Sequence, residues 1–321
     1  MYRPANRTVL LVLNYKKFTD VFEFLNSVIE HEIEDADIVI LDNGSGNDSV
    51  EAISDWIERN FPLQREDIVS KKYFAIDSPR FSKSIRLSHV RGRVALFSSI
   101  ENFGFSGGNN ALAHIGRQLG YEFLYLLNSD ILFTDKFSVA KLEALHDREP
   151  DAYLSGPCVL NKDGSFDSPF QRDSFWGDAL YYGPVNKLRR ALGLPIIQFA
   201  LNALSKPMGA SVYKISGAAM FLPTKRFFEV GGLDENVWLS SEEAILGEKV
   251  FTLGGKVMYL PTTVLIHVKA SAPRIQTSKK DILKNHFKQR NYYYRTYRNY
   301  GFLRMGILRL GQKIRLLLAK L

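Results

Sequence analysis

Apolar residues along the first half of the chain follow two periods in turn. Residues 8–14 (Thr8-Val9-Leu10-Leu11-Val12-Leu13-Asn14) and 36–42 (Ala36-Asp37-Ile38-Val39-Ile40-Leu41-Asp42) are short and continuously apolar, with little alternation. Such runs predict strands buried on both faces. Between them Val21, Phe24, Leu25 and Val28 recur at helical spacing; Val50, Ile53, Trp56 and Ile57 do so after the second run. Residues 93–97 predict a third strand, Ala111, Leu112, Ile115 and Leu119 a helix, and residues 121–127 a fourth strand. Residues 62–92 hold neither period and read as irregular. Strands alternating with helices predict an α/β fold with a mostly parallel central sheet and helices on both faces.

The second half is less regular. Val139, Leu142 and Leu145 mark a helix, and residues 153–160 a strand broken by Gly156-Pro157. Residues 165–207 carry Arg172, Trp176, Tyr181, Tyr182, Arg189 and Arg190, and read as an insertion over a crevice. Residues 213–223 predict a strand whose small residues, Ser216 to Ala219, admit a ligand close to the backbone at Gly217. Ser241-Glu242-Glu243 opens a helix through Leu246 and Val250, and residues 255–261 and 264–267 predict two closing strands.

Charge separates the end of the chain from its body. From Arg274 onward there are 13 Lys/Arg and one acid, Asp281, a net +12 that leaves −4 for the body under the chain total of +8. Leu303, Ile307, Leu310, Ile314, Leu317, Leu318 and Leu321 fill one face of a helix bordered by Arg304, Arg315, Arg309, Lys313 and Lys320. That pattern suits a helix lying in an anionic membrane surface. Packing on the body, dimerisation and base stacking by the interleaved tyrosines are the alternatives; the apolar content argues against nucleic acid. No apolar run approaches the ~20 residues of a membrane span, and the N-terminus has no secretory pattern. The one cysteine, Cys158, rules out an internal disulfide framework and suits a reducing compartment.

The chemistry gathers at strand ends. The run Phe123-Leu124-Tyr125-Leu126-Leu127 stops at Asn128-Ser129-Asp130, which places a carboxylate at the mouth of a sheet where a hard cation, Mg²⁺ or Mn²⁺, would sit beside substrate phosphates. Strand termination alone would also account for Asn128 and Asp130. Asn102-Phe103-Gly104-Phe105-Ser106-Gly107-Gly108-Asn109-Asn110 precedes a helix and offers free N–H groups to an anion, but it is neither a dinucleotide fingerprint nor a P-loop. Glu242 and Glu243 are either a general base and its neighbour or first-turn acids favoured by the helix dipole.

Three motifs in order, Asp42-Asn43-Gly44-Ser45, Asn102 to Asn110, and Leu127-Asn128-Ser129-Asp130, resemble the signatures of family 2 inverting nucleotide-sugar glycosyltransferases, which have the GT-A fold. The resemblance spans residues 8–270, and rhamnosyltransferase-like members are the most similar. It implies that Asp42 hydrogen-bonds the donor's pyrimidine, that Asn102, Gly104 and Gly107 shape the nucleotide pocket, and that Asp130 holds the cation on the diphosphate. Asn14, Asn43, Asn109, Asn128, Ser129 and Gly217 complete the implied donor side. Gly231-Gly232-Leu233-Asp234-Glu235 followed by Glu242-Glu243 is similar to the block that carries the family's base. Glu243 matches that position, with Glu in place of Asp, and Glu242 is the reserve. His267 would approach the metal or diphosphate, and Lys269 and Arg274 the phosphates. The implied division is residues 1–272 as the transferase domain, with a nucleotide half to 130 and an acceptor half after it, and 273–321 as the basic tail. The implied activity is metal-dependent transfer from a UDP- or dTDP-sugar to a hydroxyl of a lipid-linked or growing glycan, at the cytoplasmic face of the plasma membrane. A nucleotidyltransferase of similar fold, or a scaffold without catalysis, are the other readings.

Overall fold

The structure, a computed structural model, describes residues 4–61, 66–69, 75–172, 174–176, 192, 200–237, 240–268 and 278–318. Among the described residues ten strands form one sheet: β1 (Thr8–Asn14), β2 (Ala36–Asp42), β3 (Ile85–Arg91), β4 (Val94–Ser99), β5 (Phe123–Asn128), β6 (Ile131–Leu132), β7 (Ala152–Asn161), β8 (Ala210–Val212), β9 (Ala219–Pro223) and β10 (Lys256–His267). Their order is β3-β4-β2-β1-β5-β9-β7-β10-β6, with β8 against β10. The run β4-β2-β1-β5 is parallel, so the ends of β1, β2, β4 and β5 open on one edge.

Alternate residues of β1 feed two cores. Val9 and Leu11 join one core with residues of α3 (Gly104–Gln118), α5 (Thr224–Glu229) and α6 (Glu242–Thr252). Leu10 and Val12 meet α1 (Phe18–Glu30), α2 (Ser49–Asn60) and α4 (Val139–Arg148). Burial on both faces is why the sequence of this strand lacks alternation. Truncating Leu10, fully buried, to Ala would cost about 2–5 kcal/mol.

Four expectations need correction. Residues 85–91 are a strand, not irregular chain: β3 is an antiparallel edge strand on β4, and its exposed Arg86 and Ser88 hide the strand signal. Strand β7 runs unbroken through Gly156-Pro157, because Pro157 sits where the register with β10 shifts between Leu260 and Val264. The two closing strands are that single bulged strand, β10. Residues 213–218 are not strand; β9 starts at Ala219, and the small residues before it form the crossing segment.

The tail folds onto the body as α7 (Lys279–Thr296) and α8 (Phe302–Leu318). Phe287, Tyr293, Tyr294, Tyr300, Met305 and Leu308 form a third core with Val237, Ala244 and Ile245, so α6 is covered by the tail. Tyr293 and Tyr213 share a 2.6 Å hydroxyl contact. Among the described residues, no helix is long and apolar enough to cross a membrane. Cys158 is a buried free thiol. Most of the 165–207 insertion, with Tyr181, Tyr182, Arg189 and Arg190, lies outside the described residues, as do Lys269 and Arg274.

Candidate active site

Parallel register places Asn14 beside Asp42 at the ends of β1 and β2. Both are buried, and Asn14 Nδ2 donates to Asp42 Oδ2 at 2.7 Å. The turn that follows folds back on the same carboxylate: Ser45 donates its N–H to Oδ1 at 3.1 Å and its hydroxyl to Oδ2 at 2.6 Å. Gly44 makes that turn at φ +70°, and an added Cβ would lie 2.5 Å from the Glu101 carbonyl carbon. Asp42 therefore organises this corner, and its Oδ1 keeps lone-pair capacity for a further donor.

Asn43 joins this corner to the glycine turn. Its Nδ2 donates to Asn102 Oδ1 at 3.1 Å and to the Gly104 carbonyl at 3.0 Å, and its Oδ1 accepts from the Phe103 N–H at 3.1 Å. Asn102 Oδ1 also accepts the Gly104 N–H at 2.8 Å, where φ is +70°. Gly107 and Gly108 are buried in the first turns of α3, and an added Cβ on Gly108 would meet Leu13 at 2.6 Å. Asn109 Nδ2 is turned onto the Phe105 carbonyl at 3.0 Å. Asn14, Asp42, Asn43, Asn102, Gly104, Gly107 and Asn109 thus belong to one neighbourhood.

The next strand end carries the acid. Asn128 ends β5, its N–H donating to the Ala218 carbonyl at 3.0 Å, and Ser129 and Asp130 make the turn into β6. Strand β6 pairs antiparallel with the end of β10, setting Ile131 opposite His267. That pairing brings His267 Nε2 to 3.2 Å from Asp130 Oδ1. The other ring nitrogen lies 3.6 Å from Asp167 Oδ2. Burial alone would lower the His267 pKa, but Asp130 and Asp167 outweigh it and raise the value to about 9. Asp20, in the first turn of α1, is pushed up by burial and also feels Asp130.

Asp167 links this pair to the second acid site. It accepts the Ser216 hydroxyl at 2.6 Å, and Ser216 Oγ accepts the Ala218 N–H at 3.2 Å. Between them Gly217 faces the start of α6: an added Cβ would stand 3.6 Å from Glu242 Oε1 and 3.8 Å from Glu243 Cβ. Asp130, His267, Asp167, Ser216, Gly217 and the two glutamates are therefore one contact chain.

The two glutamates differ. Glu243 meets Lys214 Nζ at 3.2 Å and keeps 23% of its side chain exposed. Burial would raise its pKa, but Lys214 and, from the tail, Arg290 hold it below the usual carboxylate range. Glu242 is pushed well above that range by burial and by the charge of Glu243. Its Oε2 is buried with no hydrogen-bond partner among the described residues. The preceding Ser241 adopts φ 75°, a left-handed conformation that costs a non-glycine residue about 1–2 kcal/mol. Such strain gathers at functional sites.

A divalent cation fits Asp130 and His267. A carboxylate and an imidazole in contact supply two ligands, and a second acid, Asp167, stands behind the ring as an orienting partner. Among the described residues no group of three or more His, Cys, Asp or Glu forms a cage. Two protein ligands with the rest from phosphates is how Mg²⁺-type ions are ordinarily held. Binding would require His267 to release its proton.

Sequence reasoning missed Asp167, Lys214 and Arg290, and read Ser216 only as a small residue and not as a hydrogen-bond link. Asp167 and Lys214 lie in irregular segments with no motif, and Arg290 sits on α7, read as a separate tail.

No protein-family model and no curated protein matches the sequence. Solved structures do match. GalNAc-T7, solved with UDP, GalNAc and Mn²⁺, aligns with a TM-score of 0.56 at 15% identity, over 91% of this chain and 48% of that one. TarS of S. aureus gives 0.52 at 10%, over 90% and 40%. The mannosyltransferase PcManGT from Pyrobaculum calidifontis, solved with GDP-Man and Mn²⁺, gives 0.54 at 14%, over 100% and 74%. The chain spans about half or less of the first two. At these identities the likeness is one of fold, and the fold is GT-A.

Proposed function

We propose that this chain is a metal-dependent, inverting glycosyltransferase that moves a sugar from a nucleoside-diphosphate donor to a hydroxyl of a growing or lipid-linked glycan. The observation that carries the reading is the contact chain from Asp130 and His267 through Asp167 and Ser216 to Gly217 and the glutamate pair. It links a cation-type acid to a base-type acid through neighbouring side chains. The fold neighbours solved with UDP or GDP-Man and with Mn²⁺ support the choice of substrate and metal.

In this reading Asp42, Asn43 and the Asn102–Gly104 turn hold the nucleoside, with UDP or dTDP as the expected carrier. Asp130 and His267 would hold Mg²⁺ or Mn²⁺, which neutralises charge on the leaving diphosphate. Glu243 takes the proton from the acceptor hydroxyl as its oxygen attacks the anomeric carbon. It keeps 23% of its side chain exposed and, beside Lys214, is held ionised at neutral pH. Glu242, protonated at that pH, is a hydrogen-bond donor next to it. One base suffices because no covalent intermediate forms, and the product is inverted.

The test is a panel of nucleotide sugars with Mn²⁺ or Mg²⁺, scored for donor binding and for nucleoside diphosphate release. One donor should bind and be slowly hydrolysed only with cation present. Release of pyrophosphate instead, or binding by no donor, would overturn the reading.

A further inference from the structure

Helices α7 and α8 enclose an open groove of about 660 Å³. Lys288, Arg295, Arg309 and Lys313 ring it, above a floor that includes Phe287 and Leu316. A fifth cation, Lys284, is held 3.1 Å from Asp281; among the described residues the other four have no ion-pair partner. Among the described residues no acid lines the groove. Asn291 and Gln312 exchange two side-chain hydrogen bonds, at 3.0 and 2.9 Å, and fix the two helices across it.

The groove has an apolar neighbour. Met305, Leu308, Gln312 and Leu316 turn α8 toward the body. Leu303, Ile307, Leu310, Ile314 and Leu317 point away from it and are 44–80% exposed. At about 100° per residue, Arg309 and Lys313 fall between these two faces. The same cations therefore line the groove and border the stripe. A monomer rarely leaves such a stripe open without a use for it.

We propose that groove and stripe form one docking surface for an anionic phospholipid bilayer. The groove takes the phosphate-bearing headgroups, and the stripe enters the acyl boundary. Unpaired cations beside exposed aliphatic side chains match the two zones of a leaflet, charged headgroup and hydrocarbon. A second copy of this chain would meet the same four cations with its own, a repulsion that the bilayer does not present. The proposal stands apart from sugar transfer, since lipid binding is read without turnover.

The experiment is co-sedimentation of the full chain with vesicles of phosphatidylcholine alone or mixed with phosphatidylglycerol. The wild type should bind the mixed vesicles, be released by salt and leave neutral vesicles largely unbound. Soluble glycerol phosphate should not displace it. Arg309→Glu with Lys313→Glu should weaken binding by about tenfold or more, and Leu310→Glu with Ile314→Glu likewise. All four side chains are exposed, so the melting temperature should hold in both variants. Equal binding to neutral vesicles, no binding, or displacement by glycerol phosphate would overturn the proposal. So would a stable dimer broken by the leucine and isoleucine changes, or displacement of the vesicles by a nucleic-acid oligomer.

Discussion

Lys214 sets its ammonium 3.2 Å from Glu243 and thereby makes two adjacent carboxylates unlike. The ion pair keeps Glu243 charged, and that charge, added to burial, keeps Glu242 protonated. Glutamine is close in shape and charge to a protonated glutamate but cannot replace a base. Glu243→Gln should therefore lower kcat by about 10²–10⁴-fold. Glu242→Gln should cost less than about tenfold at neutral pH. Initial rates of sugar transfer for the two variants check this; the reverse order would assign the base to Glu242.

The cation reading makes a graded prediction. Asp130→Ala should abolish the effect of Mn²⁺ on donor affinity. Asp167→Asn, which leaves both ligands in place behind a weaker partner, should reduce metal affinity by about 10–100-fold. Titration calorimetry with Mn²⁺ and a nucleoside diphosphate measures both. Equal affinities in wild type and Asp130→Ala would remove the metal from the reading.

Gly44 and Gly46 form a matched pair. Both have positive φ, +70° and +63°, but only Gly44 has backbone within reach of an added Cβ. Gly46→Ala should cost about 1 kcal/mol from conformation alone. Gly44→Ala adds a clash with Glu101 and should cost roughly 2–4 kcal/mol, with weaker donor binding because the turn carries Ser45 onto Asp42. Thermal denaturation of the two variants decides it.

His146 gives the fold an acid limit. It is buried between the Ala152 carbonyl at 3.2 Å and Ser155 Oγ at 2.9 Å. Burial lowers its pKa to about 4, from 6.5. The unfolded chain therefore binds the proton first, and this contribution is full above pH 6.5 and lost as pH falls toward 4. The loss across that window should be on the order of 3 kcal/mol. Urea unfolding at several pH values should show this slope in the wild type and a shallower one in His146→Gln.

The first half was legible because its strands are buried on both faces, so an unbroken apolar run is the pattern itself. Strand β3 was hidden by the same physics, since an edge strand keeps polar side chains such as Arg86 and Ser88. Asp130 could be found because it ends a buried run. Asp167, on the other side of the His267 ring, could not, because only the pairing of β7 with β10 brings the irregular segment after β7 to that ring. On α8 the apolar stripe stood out in the sequence. The face that meets the body did not, since it mixes Met305 and Leu308 with Gln312.

Glu248 carries a consequence for anyone shortening this protein. Its nearly enclosed carboxylate receives Arg172 at 2.7 and 3.1 Å, the Tyr213 hydroxyl, and Arg298 at 3.9 Å. Arg298 follows α7, and Tyr293 from that helix closes the cluster on Tyr213. A chain ended before residue 278 would strip Arg298 from this enclosed charge and Tyr293 from Tyr213 beside it. Such a fragment should melt earlier or precipitate, so the basic segment is masonry of the fold and no detachable appendage.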